Sequence, residues 1–514
     1  MRSLLILLLL TSGACASAGV SDVGSADAGD AGGLGDATRP DTGAADAGFP
    51  DPDAGLPDPD AGLPDPDAGV PDPDAGFADT GPAPFHTSFQ VITGGVVTCA
   101  LFEDGRVKCW GSVQLQPMRT YGNAPNTMGA NLPYLDFGLG RRVERLYAGQ
   151  SGICAKLEDG ALRCFGDNTY RQYGYAGSAA LASATMPPPT TFPGSRTATA
   201  VALGWTHTCA ILDDRSVYCM GANDVGELGQ GNTTSTVGPQ RVNLGTGRTA
   251  KAIAADGYFS CAILDDDRLK CWGANGNSAG DLSLAGGQLG TGDTRARGND
   301  AGEMGDQLLP VDFGTNPQTA APWRVKAVHT GITRTCVILE NDRVKCMGRN
   351  DAGPDILGTG DNIGWGGAAT RVGDAMPFID LGVNPATAAP WRVLALDVGD
   401  SMTCALLENA RLKCWGGSAL GSTGNPTGGN IGDSPADMGD SLAFLDLGLD
   451  PATGQPWQVQ AVSCGKYHAC AVLTGNVLKC WGYNAAGQLG LEDNNNRGDN
   501  AGEMGDQLPI VQLQ

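Results

Sequence analysis

Three features of this 514-residue sequence predict an all-β chain built from seven copies of one unit. Cysteines recur in pairs ten residues apart: Cys99 and Cys109, Cys154 and Cys164, Cys209 and Cys219, Cys261 and Cys271, Cys336 and Cys346, Cys404 and Cys414, Cys470 and Cys480. A glycine follows two residues after each second Cys, from Gly111 to Gly482. Another stands five residues before the first Cys in six copies, where the fourth copy has Asp256-Gly257. The stretch after each first Cys is apolar at consecutive positions, as in Ala210-Ile211-Leu212 and Val337-Ile338-Leu339. That pattern fits a strand covered on both faces.

Each copy reads as a hairpin with flanking strands. Strand Cys99-Ala-Leu-Phe102 and strand Arg106-Val-Lys-Cys-Trp110 are joined by Glu103-Asp104-Gly105, a loop in which glycine supplies the positive φ. This register sets Cys99 opposite Cys109, and cross-strand α-carbons about 4.5–5.5 Å apart lie within disulfide reach. The alternative is fourteen buried free thiols, since Cys is a common core residue. A strand precedes each hairpin, such as Arg324-Val-Lys-Ala-Val328, and a fourth follows, such as Leu308-Leu-Pro-Val-Asp-Phe313 or Phe378-Ile-Asp-Leu381. Seven four-stranded antiparallel units, none able to bury both faces alone, close into a seven-bladed β-propeller. Trp110, Trp272, Trp415 and Trp481 share one repeat position and read as blade core, whereas Trp323, Trp391 and Trp457 read as packing between blades.

Gly204-Trp-Thr-His-Thr-Cys-Ala-Ile-Leu212, Cys271-Trp-Gly-Ala-Asn275 and Gly487-Gln-Leu-Gly490 resemble the repeat of the regulator-of-chromosome-condensation family. The resemblance covers residues 88–514 and implies a seven-bladed propeller. The paired cysteines depart from the nuclear founder and look more like exported bacterial members. The founder's activity, guanine-nucleotide exchange, is one function the resemblance implies. Binding of a protein through one face, as in the propeller-type β-lactamase inhibitory protein, is another.

The chain begins Met1-Arg2-Ser3, followed by an apolar run over 4–10 and Ser12-Gly-Ala-Cys15. Residues 1–18 therefore read as a signal peptide, too short to span a membrane stably. Ser12-Gly-Ala-Cys15 resembles a lipobox, which would make Cys15 a lipidated N-terminus and the chain an outer-membrane lipoprotein. Cleavage after Ala16-Ser-Ala18 is the rival, and both export the protein. Residues 19–84 form an Asp/Pro/Gly/Ala-rich linker with four copies of Pro-Asp-Pro-Asp-Ala-Gly at a seven-residue period. Fifteen Asp against one Arg over 20–84 leave it unable to build a core and extended by self-repulsion. The propeller is assigned to 85–514.

Of the 56 acidic and 33 basic residues, 41 and 31 fall within 85–514, a net charge of −10. A mildly acidic domain without a basic run is a poor nucleic-acid binder. Chemistry is sparse. His207 and His468 occupy one repeat position and read as satisfied core residues; His329 lies on a strand and His86 at the linker exit. No zinc spacing occurs, no cofactor is implied, and Cys464 reads as a buried inert thiol. Asp300, Glu303 and Asp306 are weak calcium candidates. Arg497-Gly-Asp499 has too high a chance rate to carry meaning.

The later blades are longer. Inserts at 274–307, 349–376, 417–441 and 483–507 repeat elements such as Gly-Glu-Met-Gly-Asp (302–306 and 502–506). Equivalent propeller loops emerge together, so these inserts are expected to form one rim over blades four to seven, dotted with Met304, Met376, Met438 and Met504. Structural capping of strand edges is the alternative. The expected function is non-enzymatic: a monomeric, membrane-tethered module binding a protein or a cell-envelope polymer. An exchange-factor-like activity and a propeller enzyme of unknown substrate are the alternatives.

Overall fold

The computed structural model describes residues 89–514 except 114–118, 139, 176–186, 277–285, 351–355 and 427–428. Seven antiparallel sheets follow one another along the chain. Their first strands are Phe89–Thr93, Val143–Ala148, Ala198–Leu203, Ala250–Asp256, Val325–Thr330, Val393–Val398 and Val459–Cys464. Each first strand touches the next around the ring, and Val459–Cys464 touches Phe89–Thr93 to close it. The sheets are numbered blades 1 to 7. Every blade is built from contiguous sequence, so no strand is exchanged at closure.

The hairpin register is as the cysteine spacing predicts. Cys99 pairs with Cys109 and Cys470 with Cys480, and all seven disulfides form across strands with α-carbons 4.0–4.1 Å apart. The turn keeps a positive φ at one position throughout, and blade 7 adds a second at Gly475. Gly105 and Gly160 take positive φ, and so do Arg215, Asp267, Asp342, Ala410 and Asn476 at the same position. A side chain costs about 1–2 kcal/mol in that conformation. Ala410→Gly should therefore raise stability by about 0.5–1 kcal/mol after its own entropy cost; an unchanged urea midpoint would refute the strain.

The core consists of seven apolar clusters, each between two neighbouring blades. Phe259, Cys261 and Ile263 of blade 4 face Val325, Val328 and Trp323 of blade 5, while Ala262 and Leu264 turn back to Val242 and Leu244 of blade 3. Consecutive apolar residues are needed because both faces of each middle strand are buried. Trp110, Trp272, Trp415 and Trp481 are fully buried, and each indole donates to a carbonyl of the preceding blade at 3.0 Å. The last cluster joins Phe89 and Trp110 to Leu478, Val511 and Leu513, so closure repeats the other junctions.

The fourth strand is the weakest part of the prediction. Among the described residues, only blades 1 and 3 have one as an extended ladder, Arg119–Tyr121 and Thr236–Arg241. Elsewhere the outer segment touches the third strand through isolated bridges, such as Gly273 with Arg297, and through single backbone bonds, such as Val311 N to Leu269 O at 2.7 Å and Ile379 N to Val344 O at 2.9 Å. A buried lysine completes the edge. Lys108, Lys270, Lys345, Lys413 and Lys479 each donate to two carbonyls, one from their own blade's last loop and one from the preceding blade's outer segment. Burial pushes the Lys345 ammonium down to about 8.

The repeat glycines before the first Cys have a steric origin. At Gly94 a β-carbon would lie 2.7 Å from the Gly149 carbonyl oxygen of the next blade, and at Gly331 2.9 Å from that of Gly399. In the fourth copy the requirement moves one residue on, where a β-carbon at Gly257 would lie 2.7 Å from the Ile332 carbonyl oxygen.

Candidate binding end and axial channel

In an antiparallel blade, the loops after strands one and three leave by the same end. The inserts begin there and interlock. Gly231 N donates to Gly298 O, Gly292 N to Gly366 O and Gly360 N to Gly432 O, each bond linking one blade's insert to the next. The inserts thus form a continuous belt, but its methionines point inward. Met376 and Met438 are buried, and Met304 and Met504 pack against the interface clusters. The expected methionine rim is therefore corrected: these residues anchor the belt from beneath. Met376 also occupies the position of Leu308 and Leu508, with Val372 in the methionine slot. A shorter relative, Met128-Gly-Ala-Asn-Leu132, exists in blade 1 and was legible as a Met-Gly-x-x-Leu pattern. Met438→Ala should cost about 2–4 kcal/mol as a buried truncation, read as a lower urea midpoint.

The calcium candidates are engaged otherwise. Glu303 Oε2 accepts the Gly298 and Asp300 amides, both at 3.0 Å. Asp306 accepts the Thr246 amide at 2.9 Å and its hydroxyl at 2.6 Å. These two carboxylates cap different loops and do not converge, and Asp374, Asp440 and Asp506 repeat the Asp306 bond to Thr315, Val383 and Leu449. Among the described residues no group of three His, Cys, Asp or Glu could hold a metal. Arg497 folds back onto Asp493 at 2.6 Å. Cys15, His86 and the linker lie outside the described residues.

His207 and His468 are buried and tie blades together. Their Nε2 atoms lie 2.8 Å from Ser260 Oγ and 3.0 Å from Thr98 Oγ1, each in the next blade. Burial pushes the imidazoles down to about 4 and about 3. Arg334 fills the same repeat position in blade 5 and donates to Gly399 O at 2.7 Å and Met402 O at 3.0 Å in blade 6.

The first strands of all seven blades line an axial cavity of about 210 Å³. Its wall is uneven. The position seven residues before the first Cys holds Ile92, Tyr147, Ala202 and Ala254 in blades 1 to 4, then His329, Asp397 and Ser463. His329 Nδ1 lies 3.7 Å from Asp397 Oδ1, and the Asp397 carboxylate accepts the Cys464 amide at 2.7 Å. Asp256, in the fourth copy's missing-glycine position, also faces the cavity. Burial raises its carboxyl above the usual range, the Gly257 amide and Arg334 oppose that, and Asp397 adds to it. Cys464 is a buried free thiol, raised by burial and by Asp397. At the mouth, Gln150 Nε2 donates to Asp400 Oδ1, joining blade 2 to blade 6.

The same end of the ring carries aromatic side chains in the loops after strands one and three. Trp205 and Tyr258 stand edge to face in blades 3 and 4, and Tyr467 and Tyr483 do so in blade 7. All four are half-buried and Tyr170 is exposed. Sequence reading missed this group and the cavity's polar residues because both break the repeat. Comparing the copies for departures at one position would have found them.

Two family profiles, both described as Regulator of chromosome condensation (RCC1) repeat, match residues 198–227, 250–279 and 459–488, and residues 214–263. The Ultraviolet-B receptor UVR8 of Arabidopsis thaliana is 24% identical over 274 residues, covering 53% of this chain and 55% of that protein. The chain thus spans about half the length of this curated relative. Human WBSCR16 superposes with a TM-score of 0.53 at 18% identity, over 76% of this chain and 88% of its own. Yeast RCC1 (Prp20), in a structure bound to Kap60, gives 0.53 at 15% identity over 83% and 85%. Prp20p from Saccharomyces cerevisiae, studied for binding to Gsp1p and histones, gives 0.52 at 14% identity over 83% and 88%. These likenesses show the fold, and regulator of chromosome condensation (RCC1) repeats are found in this chain within residues 198–279 and 459–488.

Proposed function

We propose that this protein is an exported, non-enzymatic binding module whose channel-mouth end docks a protein partner. One observation carries the reading: two pairs of partly exposed Trp and Tyr side chains, on blades 3 and 4 and on blade 7, stand at one end of a rigid, disulfide-stapled ring. Aromatic residues are enriched where proteins dock, and loops on a rigid scaffold hold them in place at low entropy cost. Yeast Prp20, bound to Kap60 in one structure and studied for binding to Gsp1p and histones in another, points the same way. His207, His468 and the insert carboxylates are committed to neighbouring blades and loops, which favours binding over catalysis. The Asp-rich linker over 19–84 would hold the ring away from a membrane, with Cys15 as its lipid anchor and an outer-membrane protein or envelope polymer as its partner.

The test is to immobilise the full chain, capture partners from envelope extract and map protection from hydrogen exchange. Protection should fall on the loops at 94–96, 204–206 and 256–258. Protection confined to the hairpins at 103–105 and their equivalents would reject the docking end. Detergent partition and the mature N-terminus report on the anchor; a chain starting at Gly19 decides for secretion without lipid. The exchange-factor reading predicts faster nucleotide release from a purified GTPase, in a compartment that a signal peptide would remove from reach.

A further inference from the structure

The Trp205–Tyr258 pair has a chemistry of its own. Trp205 stands four residues before Cys209, and Tyr258 three before Cys261. Their ring centroids are 5.5 Å apart with planes at 66°, and the Trp205 amide donates to Gly257 O at 2.9 Å, fixing one loop on the other. Tyr170, Glu227 and Asp224 lie close enough to Tyr258 to interact with it electrostatically, and Tyr170 and Asp224 are exposed. An edge-to-face aromatic pair beside the exposed Asp224 carboxylate attracts a cation through ring quadrupole and charge together. Blade 7 has a filled counterpart. Lys466, at the Trp205 position of its own copy, sets its ammonium 5.5 Å from the centroid of Tyr467, which stands against Tyr483 at 89°.

We propose that the Trp205–Tyr258 notch receives an arginine or lysine side chain from a basic segment of the protein partner. The net charge of −10 over residues 85–514 favours approach of such a segment. This rests on the protein-binding reading above and adds the chemistry of the partner and the place where it docks. The belt over blades 4 to 7 would then flank the contact.

The experiment titrates the full chain with a labelled peptide of Gly, Ser and two Arg, and with the same peptide carrying Gln for Arg, followed by fluorescence anisotropy. The Arg peptide should bind at least about tenfold more tightly than the Gln peptide, and Trp205→Ala should weaken it by about tenfold. Trp205→Phe, which keeps a π face, should retain most of the affinity. Tetramethylammonium should compete with the peptide, a readout that needs no variant to fold. Equal affinity for the two peptides, no saturable binding at millimolar peptide, or full affinity in a folded Trp205→Ala protein would overturn the proposal. Captured envelope partners retained by Trp205→Ala would reject the notch while leaving the protein-binding reading standing; failure of every form to retain a partner would reject that reading itself.

Discussion

Reduction of the seven disulfides is expected to unfold the ring. Each bond closes a loop of ten residues between strands already paired. Constraining such a loop in the unfolded chain contributes about 2–3 kcal/mol. Seven of them come to roughly 15–20 kcal/mol, more than the net stability of about 5–15 kcal/mol typical of a native domain. The sulfurs also sit in the interfaces between blades, where Cys261, Cys271, Cys404 and Cys414 belong to the same clusters as the core side chains. Circular dichroism melts with and without reductant test this, with mass spectrometry counting thiols. A fully reduced chain melting within a few degrees of the oxidised one would refute it. Replacing Cys404 and Cys414 by Ala should remove a single increment of about 2–3 kcal/mol.

Charging of His207 and His468 between pH 6.5 and 4 is expected to oppose the folded ring. His207 and His468 titrate near 4 and 3 in the ring and near 6.5 when unfolded. Between those values the unfolded chain binds more protons, so stability falls as pH falls and levels off below the folded values. At 1.36 kcal/mol per unit, the loss is on the order of 3 kcal/mol for His207 and somewhat more for His468. Asp256 and Glu227 act with the opposite sign: burial raises both carboxyls, which adds stability on the acid side that is lost as pH rises. Two imidazoles against two carboxyls largely offset, so the imidazole contribution is read from the difference between the wild-type chain and a His variant. His468→Gln should lower stability at pH 7 and remove its share of the slope between pH 6.5 and 4. An unchanged slope in that variant would remove His468 from the account.

The periodic parts of this fold were legible because each is enforced at every copy. A one-residue slip would separate Cys99 from Cys109, so constant spacing encodes register. Side chains at Gly94 or Gly331 would strike the next blade, so glycine recurs. Trp323, Trp391 and Trp457 pack between blades as their shared position implies. The turn was only half legible. Glycine marks it in two copies, yet Arg215 and Ala410 adopt the same backbone, because the disulfide and the flanking strands hold it. The inserts were misread. Their Gly and Asn content suggests an exposed rim, but Met438 and the Asp306 family face the protein through contacts between blades, which no single copy displays. The cavity residues were hidden for the opposite reason: His329, Asp397 and Ser463 matter as exceptions to the pattern used to find everything else.

The junction between blades 7 and 1 is built like the others. Lys108 takes the Leu513 carbonyl as Lys270 takes that of Leu244, His468 reaches Thr98 as His207 reaches Ser260, and Phe89 shares a cluster with Leu513. The ring therefore has no privileged starting point. A circular permutant opened between blades 3 and 4, with residues 89 and 514 joined by a short linker, should fold and melt cooperatively. A linear array of the same repeats would fray from its ends, whereas here opening any one junction exposes two apolar faces at once.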